Sequence, residues 1–333
     1  MKGQNDLVLP GDFGSVVPVL VVLAWRAAMT DDKPSFQDRW TARNMSFAPT
    51  LPIVCSNGIG DTFLVLGRVP IRPLGAIGFR FRVFYDTPSH PAAKILVPFF
   101  QSVTYIHYEN RAPSPRERWM FSKLMSFSQR VPRIWPVPLH SAKHPPRSTS
   151  NAHNCSVLLH THLDGHHGWL GAKAKIWAIE NWVALVGELH GRGCDVSLIE
   201  WNVAAAQAIR SHCPYIRDVT EQNLSALCHN MRLYDCIVSV DSWVKYAAEW
   251  NHVPQVVIVP DLRSGYTPDF AQVTADWVAQ WWFHGLIGKP RVTVLGLARS
   301  RHAFVYTLPT LEELRPSEVL RAISVQLSSA ATP

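Results

Sequence analysis

The fold of this 333-residue chain is decided by residues 235–259, which read DCIVSVDSWVKYAAEWNHVPQVVIV. Cys236–Val240 is a short apolar, β-branched run, as expected of a buried parallel strand. Asp241 and Ser242 follow it and are good helix caps, and Pro254 ends the helical spacing after them. The stretch predicts strand, loop, helix and strand. In an open parallel sheet, ligands bind in such a loop, where the helix amino end favours a phosphate.

A second strand–loop–helix pattern lies near residue 60. Residues 51–55 are strand-like, Gly58 and Gly60 form a tight loop, and Asp61 precedes an apolar helix. Glycines let the backbone approach a ligand. The glycine pair alone also fits a dinucleotide-binding or methyltransferase domain, but the full dinucleotide pattern needs a third glycine where Phe63 stands.

Length and element alternation predict two α/β domains. The chain has 333 residues, 47% of them hydrophobic, enough for two domains of about 150 residues. Alternating strands and helices indicate parallel sheets covered on both faces. The proline-rich residues 132–154 are typical of an interdomain connection. We expect residues 1–50 to be an extension outside the core; an anchor to a membrane surface is the alternative.

The basic charge and the cysteines limit the classes of partner and the compartment that the sequence predicts. A net charge of +7 suits an anionic membrane surface or a phosphorylated substrate, or is ordinary solubilising charge. No Lys/Arg run is dense enough to predict nucleic-acid binding. The six cysteines form no Cys-x-x-Cys pair, which favours reduced thiols in a cytoplasmic protein.

Residues 160–167 contain four histidines and one aspartate, a composition that invites a metal hypothesis. The segment follows a strand, contains a glycine and lacks the i, i+4 spacing of helical metal ligands. We therefore predict no metal site, and expect these histidines to line an anion site or to be exposed.

In order and spacing, the motifs resemble those of the family 9 glycosyltransferases, the ADP-heptose:lipopolysaccharide heptosyltransferase group. Gly60 and Asp61 before an apolar helix match the first segment of that family. Lys175 and Trp177 match its Lys/Arg-x-Trp-Pro motif, with Ala178 in place of the proline.

The stretch quoted first resembles the donor-binding segment of the family. Asp241 and Ser242 match without a gap, whereas Trp243 stands in place of a glycine and Tyr246 in place of a histidine. The Gly-Pro-Thr that usually follows the next strand is also missing after Val259.

The resemblance implies a GT-B fold, in which two Rossmann-like domains with parallel sheets face each other across a cleft. Residues 51–150 would form the N-terminal, acceptor-side domain and residues 151–312 the C-terminal, nucleotide-sugar-binding domain. Residues 313–333 would form a helix that returns to the N-terminal domain.

The resemblance also assigns the site. Asp61 would be the general base that takes the proton of the attacking hydroxyl, unless it only caps its helix, and Gly58 and Gly60 would form the acceptor-side loop. A lysine suits a diphosphate, and an acid after a strand suits ribose hydroxyls. The implied donor-binding residues are Thr161, Lys175, Glu200, Asp241, Ser242 and Trp243.

The implied reaction is inverting and needs neither metal nor cofactor. The donor would be a nucleotide-diphosphate sugar, with ADP-heptose first, and the acceptor a glycan or glycolipid such as lipopolysaccharide core. We expect a cytoplasmic monomer, peripheral at the inner membrane. The alternatives are a GT-B nucleotide-sugar epimerase and a noncatalytic nucleotide-sugar-binding module.

Overall fold

A three-stranded parallel sheet forms the first half of the molecule, with strand order β1-β2-β3. The computed structural model describes residues 49–56, 58–87, 91–128, 130–131, 133–140, 155–161, 175–220, 223–264 and 273–330. The strands of this sheet are β1 (Thr50–Cys55), β2 (Arg80–Tyr85) and β3 (Ile106–Glu109). Its helices are α1 (Ile59–Arg68), α2 (Ile71–Ala76), α3 (Pro91–Gln101) and α4 (Pro115–Ser128).

A six-stranded parallel sheet forms the second half, with strand order β6-β5-β4-β7-β8-β9. Its strands are β4 (Ser156–His160), β5 (Asp195–Ile199), β6 (Arg217–Asp218), β7 (Cys236–Val240), β8 (Gln255–Ile258) and β9 (Val292–Leu295). The remaining elements are α5 (Ile179–Gly191), α6 (Val203–His212), α7 (Leu224–Asn230), α8 (Val244–Trp250), α9 (Ala275–Trp281), the antiparallel pair β10 (Leu297–Arg299) and β11 (Phe304–Tyr306), and α10 (Pro316–Ala330). The predicted mixed α/β fold with parallel sheets is confirmed.

The residues that precede the third strand form a turn. The residue types at 102–107 predict a strand there, but the strand begins at Ile106. Tyr105 has φ 73°, in the left-handed region that a tyrosine rarely adopts. Its ring lies flat on Gly75, where an added Cβ would come within 2.2 Å of the ring. The ring of Tyr105 therefore packs tightly on a glycine, and the turn at this residue shifts the start of β3 to Ile106.

The last helix, α10, packs on the second sheet. Val319 and Ile323 lie in the same buried core as α5, and the helix contacts α5, β7, β8 and β9. The Gln326 side-chain amide donates to the Thr293 hydroxyl at 2.7 Å. The expectation that residues 313–333 return to the first domain is therefore corrected, because the apolar face of α10 is buried against the sheet that precedes it.

The two halves meet through α1 and α8. The Phe63 ring stacks on Trp250 at 4.8 Å between centroids and lies 5.1 Å from Trp243. At the other end of α1, the buried Arg68 guanidinium donates to the Trp281 carbonyl at 2.5 Å and lies 5.2 Å from the centroid of that indole ring. These contacts pack α1 of the first half along α8 and against the end of α9 in the second half. Among the described residues, no helix is long and apolar enough to cross a membrane.

Candidate functional site

The candidate site lies where the strand order of the second sheet reverses, between β4 and β7. In such sheets the crevice outside the carboxyl ends of these two strands binds the ligand. His160 ends β4 and is followed by Thr161, while Asp241 and Ser242 follow β7. The His160 Nδ1 and Ser242 Oγ atoms lie 3.3 Å apart, so the two loops are in direct contact.

Asp241 is the centre of a buried ion cluster. Its side chain is 2% exposed, and its carboxylate accepts a hydrogen bond from Lys175 Nζ at 2.9 Å. Lys175 also donates to the Asp241 carbonyl at 3.0 Å. The second carboxylate oxygen accepts from Lys245, four residues later on α8. Two ammonium groups thus share one carboxylate, and we call these three residues the lysine–aspartate cluster.

Burial alone would raise the pKa of Asp241, but the two lysines outweigh it and hold that pKa at about 2. Burial lowers the pKa of Lys245 despite Asp241. Aromatic faces add support to both cations, since Lys175 Nζ is 4.9 Å from the Trp282 ring centroid and Lys245 Nζ 4.5 Å from that of Tyr246. The cluster therefore carries one unit of positive charge away from bulk water, where an anion is bound strongly.

Asp61 is the third residue of α1 and does not cap it. The N-cap is Gly58, without a side-chain hydrogen bond, and a Cβ added there would come within 3.0 Å of the Asp61 carboxylate. Gly60 faces open space. Within the described residues no hydrogen bond or ion pair holds this carboxylate. Burial lowers the pKa of Lys245 and raises that of Tyr246, and the Asp61 charge adds a smaller upward effect on both.

Thr161 and Glu200 are bound to each other. The Thr161 hydroxyl donates to one Glu200 carboxylate oxygen, and the Asn202 amide donates to the other at 2.7 Å. The Glu200 amide in turn donates to the Thr220 hydroxyl at 2.8 Å. The carboxylate therefore fastens the loop after β5 to the end of β4. Its role at the donor ribose stays a prediction.

The two departures from the family pattern are packing residues. Trp243 is 5% exposed and touches Phe63 of the first half, while its ring lies 6.0 Å from Trp201. The Tyr246 hydroxyl donates to the Trp282 carbonyl at 2.7 Å. Both rings thus fill the space between α1, α8 and the residues after α9, where a glycine and a histidine would leave room.

Sequence reasoning missed Lys245 and Trp201. Lys245 lies in an apolar run that was interpreted only as a helix, yet it follows Asp241 at i, i+4, the spacing at which opposite charges pair. Trp201 is the second residue after β5, at the edge where ligands bind. The sequence predicts Asp241 and Ser242 as helix caps, but the N-cap of α8 is Trp243. Ser242 Oγ accepts a hydrogen bond from the Val244 amide at 3.3 Å.

In the part of the chain that the structure describes, no group of three His, Cys, Asp or Glu side chains could hold a metal. Only the first two of residues 160–167 are described, so most of the histidine segment lies outside the described residues. A depression of about 540 Å³ lies at the amino ends of β1 to β3, beside Arg80 and His107, at the edge opposite to Asp61.

Solved structures similar to this chain include heptosyltransferases. "Structure of E. coli ADP-heptose lps heptosyltransferase II" matches with a TM-score of 0.51 and 14% identity, over 85% of this chain and 100% of that one. "E. coli heptosyltransferase WaaC with ADP" matches with a TM-score of 0.47 and 14% identity, over the same shares. No protein-family model matches the sequence, and no curated protein does. The likeness to the first structure shows that the chain has the GT-B fold.

Proposed function

We propose that this chain is a glycosyltransferase that moves a sugar from a nucleotide-diphosphate sugar to a hydroxyl of a glycan or of lipopolysaccharide core. The observation that carries the proposal is the lysine–aspartate cluster at the strand-order reversal of a GT-B fold. A site with two buried ammonium groups and one carboxylate is suited to a ligand of negative charge, as a diphosphate is.

The donor would lie on the second sheet, within residues 151–312. Lys175 would contact the diphosphate directly. Lys245 would hold Asp241 in place and add to the positive electrostatic potential at the diphosphate. Thr161 follows β4 and Ser242 lies in the loop after β7, at the edge of the sheet that the crevice adjoins. The similar structure with the TM-score above 0.5 is named as an ADP-heptose enzyme, so ADP-heptose is the donor we propose first. As the sugar leaves, positive charge at this place would stabilise the departing diphosphate, the role that a divalent cation has in other enzymes.

The acceptor would lie on the first half, within residues 51–150, with Asp61 as general base. Gly58 lets the carboxylate lie over the loop, and the open space at Gly60 leaves room beside it. Attack from the Asp61 side on a donor held at the second sheet would invert the anomeric carbon, because the nucleophile and the diphosphate then lie on opposite faces of the sugar.

A noncatalytic nucleotide-sugar-binding module is the second candidate. The contact of Trp243 with Phe63 favours it, because these rings occupy space between the halves where a sugar would have to lie. Tight binding of ADP-sugars without any transfer or hydrolysis would support this alternative.

The test is turnover of Asp61→Asn with ADP-heptose and lipopolysaccharide-core acceptor. The amide keeps the size of the side chain but cannot take a proton, and loss of a general base costs about 10²–10⁴ in rate. We expect an unchanged thermal unfolding temperature, near-normal donor affinity and at least about a hundredfold slower transfer. Asp86→Asn, directly after β2 at the same sheet edge, is the matched control and should retain its rate. Near-normal transfer by Asp61→Asn would refute the assignment of the base.

A further inference from the structure

Helix α4 presents an exposed tryptophan among basic side chains. Trp119 is 61% exposed, and Lys123 Nζ lies 5.8 Å from the centroid of its ring. Arg116 is exposed one turn before Trp119, Arg118 is exposed directly before it, and Arg130 is exposed just beyond the end of the helix. Positions 116, 119 and 123 recur at the spacing of one helix face. We call the exposed side of α4, with Arg130, the α4 surface.

The single acid of α4 does not weaken this charge, because it is turned inward. Glu117 is buried, and its carboxylate accepts from Arg111 at 2.6 and 2.9 Å and from the Ser114 amide at 2.7 Å. These hydrogen bonds hold the pKa of Glu117 at about 2, and the bond from Arg111 has the largest effect. On the outer side, Asp86 neutralises Arg118. The exposed face therefore keeps the charges of Arg116, Lys123 and Arg130.

We propose that the α4 surface docks on an anionic lipid membrane. An amphipathic tryptophan lies favourably at the level of lipid headgroups, and basic residues around it are attracted to anionic lipids. Two apolar side chains of the same helix are half-exposed, namely Met120 and Phe127, and would enter the same interface. A nucleic-acid partner is less suited, because a single exposed ring gives no series of stacking platforms for bases.

The α4 surface lies on the acceptor side of the molecule. Arg118 is tied to Asp86, which follows β2 at the carboxyl edge of the first sheet, where Asp61 follows β1. If the proposed function holds, docking through α4 would bring that edge toward a lipid-linked acceptor. Membrane binding itself needs neither donor nor turnover, so it can fail or succeed independently of the proposed transfer reaction.

The test is sedimentation of the full chain with vesicles of phosphatidylcholine alone or mixed with phosphatidylglycerol. We expect binding to the mixed vesicles that weakens with salt. Trp119→Ala should weaken it at least about fivefold, and the double variant Arg116→Ser/Lys123→Ser about twentyfold or more, since each basic residue near the membrane surface contributes about fivefold.

Matched controls separate the α4 surface from general charge and from residues 1–48. Trp277→Ala removes a tryptophan that is 38% exposed on α9, and Arg192→Ser/Arg232→Ser removes the same charge elsewhere. Both should bind within about twofold of the parent chain, because distant charges are screened. Equal losses in the controls, parent-like binding by the α4 variants, absence of vesicle binding, or binding to RNA in preference to mixed vesicles would each overturn the proposal.

Discussion

Replacement of Asp241 by asparagine should destabilise the molecule strongly at neutral pH. The substitution keeps the shape of the side chain and removes the carboxylate charge that Lys175 and Lys245 share. Removal of one partner from a buried ion pair typically costs about 3–5 kcal/mol, and we expect this range at pH 7. Asp86→Asn is the control, because it breaks an ion pair whose side chains are 39% and 49% exposed, and such pairs contribute about 0–1 kcal/mol.

The loss should depend on pH in a defined direction. The pKa of Asp241 falls from 3.8 to about 2 on folding. A carboxyl group with a depressed folded pKa stabilises the fold above its unfolded pKa, and this stability is lost as the pH falls through the folded pKa. At about 1.4 kcal/mol per pKa unit, the lowering corresponds to about 2–3 kcal/mol at pH 7, of which about 1 kcal/mol is gone at pH 3.

This pH dependence is measured by urea unfolding of the parent chain and of Asp241→Asn at pH 7 and at pH 3. The difference in unfolding free energy between the parent chain and Asp241→Asn should shrink by about 1 kcal/mol at pH 3. Other acids with depressed pKa values, such as Glu117 and Glu249, are present in both proteins and cancel in the difference. The cluster would not be stabilising as argued if the difference were below about 1 kcal/mol at pH 7, or if it were equal at both pH values.

Two further predictions concern the donor site. Lys175→Ala should raise the dissociation constant for an ADP-sugar by about 10–150-fold, the equivalent of a lost charge-assisted bond of about 1.5–3 kcal/mol. The control Arg192→Ala, at the far end of α5, should leave this constant unchanged. Both constants are measured by titration calorimetry, and an unaltered constant for Lys175→Ala would remove this residue from the site. Transfer activity should be the same with and without EDTA, because the lysines supply the positive charge, whereas activity lost in EDTA and restored by a divalent metal would show that a metal takes part.

The central strands were predictable because they are buried on both faces. The runs Cys236–Val240 and Ser156–His160 are mainly apolar, and no helix of so few residues is expected between two loops. The docking of α10 was not predictable, because its apolar stripe fits either sheet equally well. The site was predictable in its location but not in its contacts. A carboxylate after a strand is suited both to capping and to ion pairing, and only the approach of Lys175 from a distant loop decides between them.

Exposure of the lysine–aspartate cluster indicates the side from which a donor would enter. Lys245 is 4% exposed at its side chain and lies under Tyr246, whereas Lys175 is 15% exposed. On the inner side, Trp243 and Phe63 are packed ring against ring and close the path between α1 and α8. A diphosphate arriving with the halves in this arrangement would therefore meet Lys175 first. Under the proposed function, transfer to an acceptor at Asp61 would then require the Trp243–Phe63 contact to open.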